Sequence, residues 1–290
     1  MSNGLLYLIT VLIWGSTWFA IEFQLGVVAP EVSIVYRFLL ASGMLLIWCK
    51  YRKLNLKFDV KYHQWFALLG AFLFCLNYIL AYRAQVHITS ALAAIVFSTM
   101  LWMNILLARL AFGTRVTLKV VTGGVLGMIG IVVLFAPQIE ALSLTDRTLY
   151  GSLLALAGAA SASAGNIVSQ AAQKRTLPVV ATNTWAMFYG ALFTAVAALL
   201  QGQQLNFDAT FTYIASLAYL ALFGSVVAFG AYLTLIGRIG AHRAGYAMVM
   251  FPVVALVLSI AFEGLRLSWA IVVGTSLVLL GNLLVLNRDA

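Results

Sequence analysis

The stretch "GTRVT" at residues 113–117 returns as "GLRLS" at residues 264–268. Each reads Gly, any residue, Arg, an aliphatic residue, then a hydroxyl residue. The two lie 151 positions apart, about half of the 290-residue chain. At the same offset Val121 answers Val272, Gly123 answers Gly274, Leu126 answers Leu277 and Gly130 answers Gly281. Ala81-Tyr82 answers Ala231-Tyr232 at an offset of 150, and Pro30 answers Pro178 at 148. A slowly drifting offset is what small insertions between two copies of one unit produce, so the chain reads as an internal duplication.

Composition says where such a duplication lives. Hydrophobic residues make up 63% of the chain and charged ones 9%, with a mean hydropathy of +1.03. A soluble domain carries about 25% charged residues and could not cover its surface with so few. The class that fits is a polytopic membrane protein. Ten apolar runs can be marked, near 4–21, 32–49, 62–82, 89–109, 118–136, 149–171, 179–200, 211–236, 242–262 and 268–286. They lack the alternation of barrel strands, and backbone groups in lipid must be satisfied internally, so they read as helices. Only short loops remain, with no room for a soluble domain.

The net charge of +9 could point to nucleic acid, but its distribution argues otherwise. With a cytoplasmic N-terminus, the inner loops hold Lys50, Arg52, Lys53, Lys57, Lys61, Arg109, Arg115, Lys119, Lys174, Arg175, Arg238, Arg243 and Arg288. The outer loops hold only Arg83, Arg147 and Arg266, and Arg37 lies inside a span. This asymmetry predicts both termini in the cytoplasm of a cell whose inner membrane holds the protein. The partners expected are lipid and a small solute, not nucleic acid. "MSNGLLYLIT" has no basic leader, so the first span is expected to stay uncleaved. Cys49 and Cys75 fall in or beside spans and read as packing residues, not as a disulfide framework.

Parity then sets the architecture. Each copy, residues 1–140 and 148–287, holds five spans. An odd number makes the second copy enter the membrane inverted. The expected fold is therefore all-α, with ten transmembrane helices as two inverted five-helix repeats. "GTRVT" faces the cytoplasm and "GLRLS" the outside, which accounts for Arg266. Both arginines read as turn caps and headgroup anchors. Inverted halves that exchange conformation give alternating access around a central site.

The residues also carry a resemblance. "LIWGSTWFA" in the first span, Pro30 and Arg37 around the second, the paired G-x-R-x-[ST] turns and Pro252 in the ninth span resemble the drug/metabolite transporter superfamily, EamA branch. The likeness covers essentially the whole chain. It implies a ten-helix transporter, with the branch's aromatic amino-acid exporters as the nearest type. Two positions depart from the pattern. The usual acid of the paired turns is Thr114 in one copy and Leu265 in the other, and Met100-Leu101 stands where the fourth span usually has a proline.

Aromatic and amide residues away from the span ends indicate what a central site would hold. Trp14 and Trp18 lie at i, i+4 spacing with Thr17 beside them, and Asn77, Tyr78 and Tyr82 share the third span. Ser98 and Trp102 fall in the fourth, Ser163 and Asn166 in the small-residue run "GAASASAGN" (158–166), and Tyr246 in the ninth. Trp48, Trp65 and Trp269, near span ends, belong to the interfacial belt. Mid-span Tyr and Trp present a flat apolar face plus one hydrogen-bonding group, which suits small amphipathic solutes, while inter-helix packing is the plainer use of any one of them. The Ala and Gly positions of the run read as close packing. Asn166 is expected to line the cavity, because a bare amide in lipid is costly.

The charged residues narrow the chemistry. None of the eight acids is clearly mid-membrane, so a proton-coupled cation antiporter is not expected. Arg37 either receives a substrate carboxylate, pairs with Glu22 or Glu31, or snorkels outward. His63, His87 and His242 do not cluster, and no metal or cofactor is expected. No H-E-x-x-H, G-x-S-x-G or phosphate-cradling loop appears, so catalytic residues are not expected either. The function expected is transport of small neutral or zwitterionic metabolites, above all amino acids including aromatic ones. Export of sugars, phosphorylated metabolites or drug-like amines, or a channel, are the alternatives. A homodimer through the fifth or tenth helix, or a monomer, is the expected assembly.

Overall fold

The computed structural model describes residues 1–136, 146–262 and 268–286. Within them the chain is helical: α1 Asn3–Glu22, α2 Pro30–Tyr51, α3 Val60–Gln85, α4 Ser90–Ser98, α5 Met100–Phe112, α6 Leu118–Leu134, α7 Asp146–Lys174, α8 Val179–Leu200, α9 Phe211–Ile239, α10 Ala241–Ala244, α11 Tyr246–Phe262 and α12 Trp269–Leu286. α4 runs into α5 through the single residue Thr99, and α10 into α11 through Gly245, so the described residues make ten rods. Seven rods or parts of rods are long and apolar enough to cross a membrane, and α6 and α12 are shorter apolar helices.

Local chemistry sets many of the boundaries. Ser2 accepts from the Leu5 N–H to open α1, and Thr89 does the same for α4 from Leu92. Pro30 occupies the first turn of α2, where its missing N–H costs nothing. The "GTRVT" turn resolves into two such devices. Gly113, at φ +64°, ends α5 in the left-handed region, and Thr117 Oγ1 accepts from Val120 to open α6. Ser268 Oγ caps α12 through Ile271 N–H in the same way. Arg115 is exposed. Arg266 and its neighbours, Arg288 and the boundary expected between residues 140 and 148 lie outside the described residues, residues 146–148 apart.

Two rods contain a widened turn. Residues 70–76 of α3 and 220–227 of α9 are π-helical, a wide turn that is rare in helices and frequent at functional sites. The missing proline of the fourth span does not make that rod continuous. It still interrupts at Thr99, whose hydroxyl turns back onto the Val96 carbonyl at 2.6 Å.

α6 and α12 pack on each other through glycine. A Cβ on Gly130 would stand 2.7 Å from the Gly274 carbonyl oxygen, and one on Gly123 2.6 Å from that of Gly281. Only glycine permits this approach. The glycine faces of the fifth and tenth spans are thus filled by each other within one chain.

Polar contacts identify the two ends of the bundle. At the end carrying residue 3, Arg238 donates to the Met1 carbonyl (2.8 Å) and Trp185 to that of Leu56 (3.1 Å). At the opposite end Arg83 pairs with Glu31 at 2.8 Å, Asn206 donates to the Val27 carbonyl and Arg147 to that of Val86. The helix termini that carry Lys50, Arg109, Lys119, Lys174, Arg238 and Arg243 all fall at the first end.

Candidate functional site

A cavity of about 90 Å³ lies in the middle of the bundle, lined by Trp14, Thr17, Ile21, Arg37, Leu73, Asn77, Tyr78, Ala81, Tyr82, Phe97, Met100, Ala162, Asn166, Phe229, Tyr232, Met248 and Phe251. One water needs roughly 10–15 Å³ by the same kind of measure, whereas drug-sized pockets run to about 300–1,000 Å³. The void therefore has room for a small solute only, unless the helices move. α1, α2, α3, α4, α5, α7, α9 and α11 all contribute, and α6 and α12 contribute none of the lining residues.

The widened turn of α9 builds one wall. In it the Gly224 carbonyl accepts the Trp14 indole N–H at 2.9 Å. The turn also lets Ser225 Oγ reach back to the Leu220 carbonyl at 3.0 Å while accepting from Arg37 Nε at 2.9 Å. Trp14 is held edge-on by Phe229, Tyr232 and Phe251, with centroids 4.7, 5.0 and 5.6 Å away. Such contacts fix the indole plane as well as burying it.

Arg37 is 1% exposed. Its Nη2 donates to the Tyr78 hydroxyl at 3.3 Å, and its guanidinium lies over the Tyr78 ring at 4.8 Å. Nη1 has no hydrogen-bond partner. The expected pairing with Glu31 is not made, because that carboxylate is taken by Arg83. Nor does Arg37 pair with Glu22, which is exposed at the end of α1; and the arginine does not snorkel. Arg37 is the one charged group among the lining residues.

Towards the end carrying residue 3, Asn166 Nδ2 donates to Asn104 Oδ1 and to the Tyr232 hydroxyl, both at 3.2 Å. Its Oδ1 is unpartnered, and Asn166 itself is wholly buried. Asn77 Nδ2 turns back onto the Leu73 carbonyl, again leaving Oδ1 without a partner.

Of the residues singled out in the sequence, Trp14, Thr17, Arg37, Asn77, Tyr78, Tyr82 and Asn166 thus meet at one cavity. Four others are placed elsewhere. Tyr246 gives its hydroxyl to the Val120 carbonyl of α6, and Trp102 packs its ring on Gly124 of the same helix. Ser163 donates to the Met100 carbonyl at 3.4 Å, and Ser98 is fully buried away from the lining. The Trp18 side chain lies outside what is described. Tyr232 and Phe229 were missed. The Ala81-Tyr82/Ala231-Tyr232 echo is the signal that could have found Tyr232, since it matches a lining tyrosine.

The EamA-like transporter family matches this chain twice, over residues 2–136 and 149–287, and the chain belongs to that family. A probable amino-acid metabolite efflux pump of Escherichia coli (strain K12) is 26% identical, across 95% of this chain and 93% of its own. Protein PagO of Salmonella typhimurium is 24% identical, across 92% and 87%. The uncharacterized inner membrane transporter YedA of Escherichia coli (strain K12) is 28% identical, across 89% and 81%. A solved crystal structure shares the fold, with a TM-score of 0.79 over 98% of this chain and 96% of its own at 19% identity. The protein is a membrane transporter and not an enzyme.

Proposed function

From membership in that family we propose that the protein exports or equilibrates small metabolites, above all amino acids including aromatic ones. It does so by alternating access between two inverted halves, residues 1–140 and 148–287, with both termini in the cytoplasm. The observation that carries this reading is the central cavity. It joins an apolar aromatic wall to one guanidinium and two amides with free oxygens, the surface that a small zwitterion complements.

Contacts between the halves support the inverted arrangement. Trp14 of the first rod donates to the Gly224 carbonyl in the π-turn of the eighth, and Ser161 of the sixth donates to the Phe72 carbonyl in that of the third. Exchanging the halves exchanges the rods that make these two contacts. The crowding of basic residues at the end carrying residue 3 supports a cytoplasmic location for that end.

The test is counterflow of labelled amino acids in proteoliposomes at symmetric pH. Saturable exchange is expected for the wild type. Losing one buried polar contact costs roughly 1–3 kcal/mol, so Trp14→Ala and Asn166→Ala should each weaken exchange by about tenfold or more. A wild type that moves no amino acid but drives cation export on a proton gradient would overturn the reading.

A further inference from the structure

We infer that Arg37 is the anchor for a substrate carboxylate, and that this carboxylate, not an ammonium group, is the feature every transported solute must carry. The inference rests on the reading above and names the chemistry of the same site. Taking a charge out of water is costly unless other groups replace its solvation, and a guanidinium cannot shed its charge as a buried lysine can. Here the replacement is incomplete. Ser225 takes Nε, Tyr78 takes Nη2, the Tyr82 hydroxyl stands beside the guanidinium, and the Tyr78 and Phe38 rings lie 4.8 and 5.6 Å from its carbon. All of these are neutral. Nη1 remains without an acceptor in a 1%-exposed residue that faces the cavity. The described lining contains no carboxylate, and the nearby Glu31 is already held by Arg83 at 2.8 Å. The site therefore carries one uncancelled positive charge and one guanidinium nitrogen without an acceptor, which a carboxylate satisfies together.

The amine end is treated differently. Asn77 and Asn166 each offer an unpartnered amide oxygen, and both are at least nine-tenths buried. These oxygens accept from an ammonium group but bring no charge to require one. A deaminated or N-acylated acid keeps the strong contact and loses only a neutral one. A decarboxylated amine puts a second positive charge beside Arg37.

Competition against labelled leucine counterflow tests this, using leucine, its 2-oxo acid, N-acetyl-leucine, leucinamide and isoamylamine. The two deaminated or acylated acids should compete within about threefold of leucine, and leucinamide and isoamylamine at least about tenfold more weakly. Arg37→Gln should erase that discrimination, whereas Arg37→Lys should keep part of it. Should Arg37→Gln fail to fold, the wild-type panel decides alone. Equal competition by leucinamide and isoamylamine would overturn the anchor while leaving amino-acid transport standing. Should the wild type move no leucine, thermal stabilisation of the detergent-solubilised protein is read instead. Stabilisation by the 2-oxo acid and not by isoamylamine would then uphold the anchor although the amino-acid reading had failed, and the reverse pattern would overturn it.

Discussion

Gly224 of α9 packs directly against the guanidinium of Arg37. A Cβ there would stand 3.0 Å from Nη2 and 3.0 Å from Thr17 Cγ2, inside van der Waals contact on two sides. The carbonyl of the same residue holds Trp14, so one glycine sets the position of both the cation and the indole. Overpacking by a methyl group costs about 1–3 kcal/mol, and here the movable partner is the Arg37 side chain. Gly224→Ala is expected to raise the half-saturating substrate concentration in counterflow by about tenfold, with expression and size-exclusion profile unchanged. An unchanged half-saturation would detach Gly224 from the site. Tyr232→Phe is the complementary case. It removes the hydroxyl that Asn166 donates to at 3.2 Å and should slow exchange at saturating substrate, read in the same assay.

The π-turns of α3 and α9 act through the element as a whole. Deleting one residue from 220–227 would restore regular α-helix and remove the wide turn that presents the Gly224 carbonyl to Trp14 and the Ser225 hydroxyl to Arg37. Exchange should be abolished while the protein still inserts, as judged by fluorescence-detected size exclusion. In the α6–α12 seam the opposite split is expected. Gly274→Leu drives a side chain into backbone that a Cβ alone would approach to 2.7 Å, so thermal stability should fall while competitor selectivity stays as in the wild type. These elements also show what the sequence could and could not disclose. Span positions, the glycine pairs and the capped "GTRVT" turn were legible, because hydropathy, spacing and cap chemistry are local. The π-turns were not, since an added residue in a helical turn leaves no mark in an apolar run such as "LALFGSVV". Tyr246 and Trp102 looked like Tyr78 by depth and type, and only helix rotation separates them. Arg37 was legible as a deep charge, but its freedom from Glu31 depended on Arg83 arriving from another rod.

Topology yields a test of the assembled transporter. With Cys49 and Cys75 replaced, a single cysteine at Asn55 should resist membrane-impermeant label applied outside intact cells, and one at Gln204 should react. Both positions are exposed and lie at opposite ends of the bundle. Reaction of the Asn55 site from outside would reverse the proposed orientation. With the orientation as proposed, the solitary charge of Arg37 has an electrical consequence. Arg37 sits about two turns from the outer end of α2, and no charge in the lining cancels it. A zwitterion that passes it carries no net charge across the bilayer, so its flux is blind to voltage. A simple carboxylate carries one negative charge outward, away from a negative cell interior, and gains about 2.3 kcal/mol per 100 mV in doing so. The same pocket would then run as an equaliser for amino acids and as a voltage-driven exporter for their deaminated acids, which draw on the membrane potential itself and need no co-transported ion.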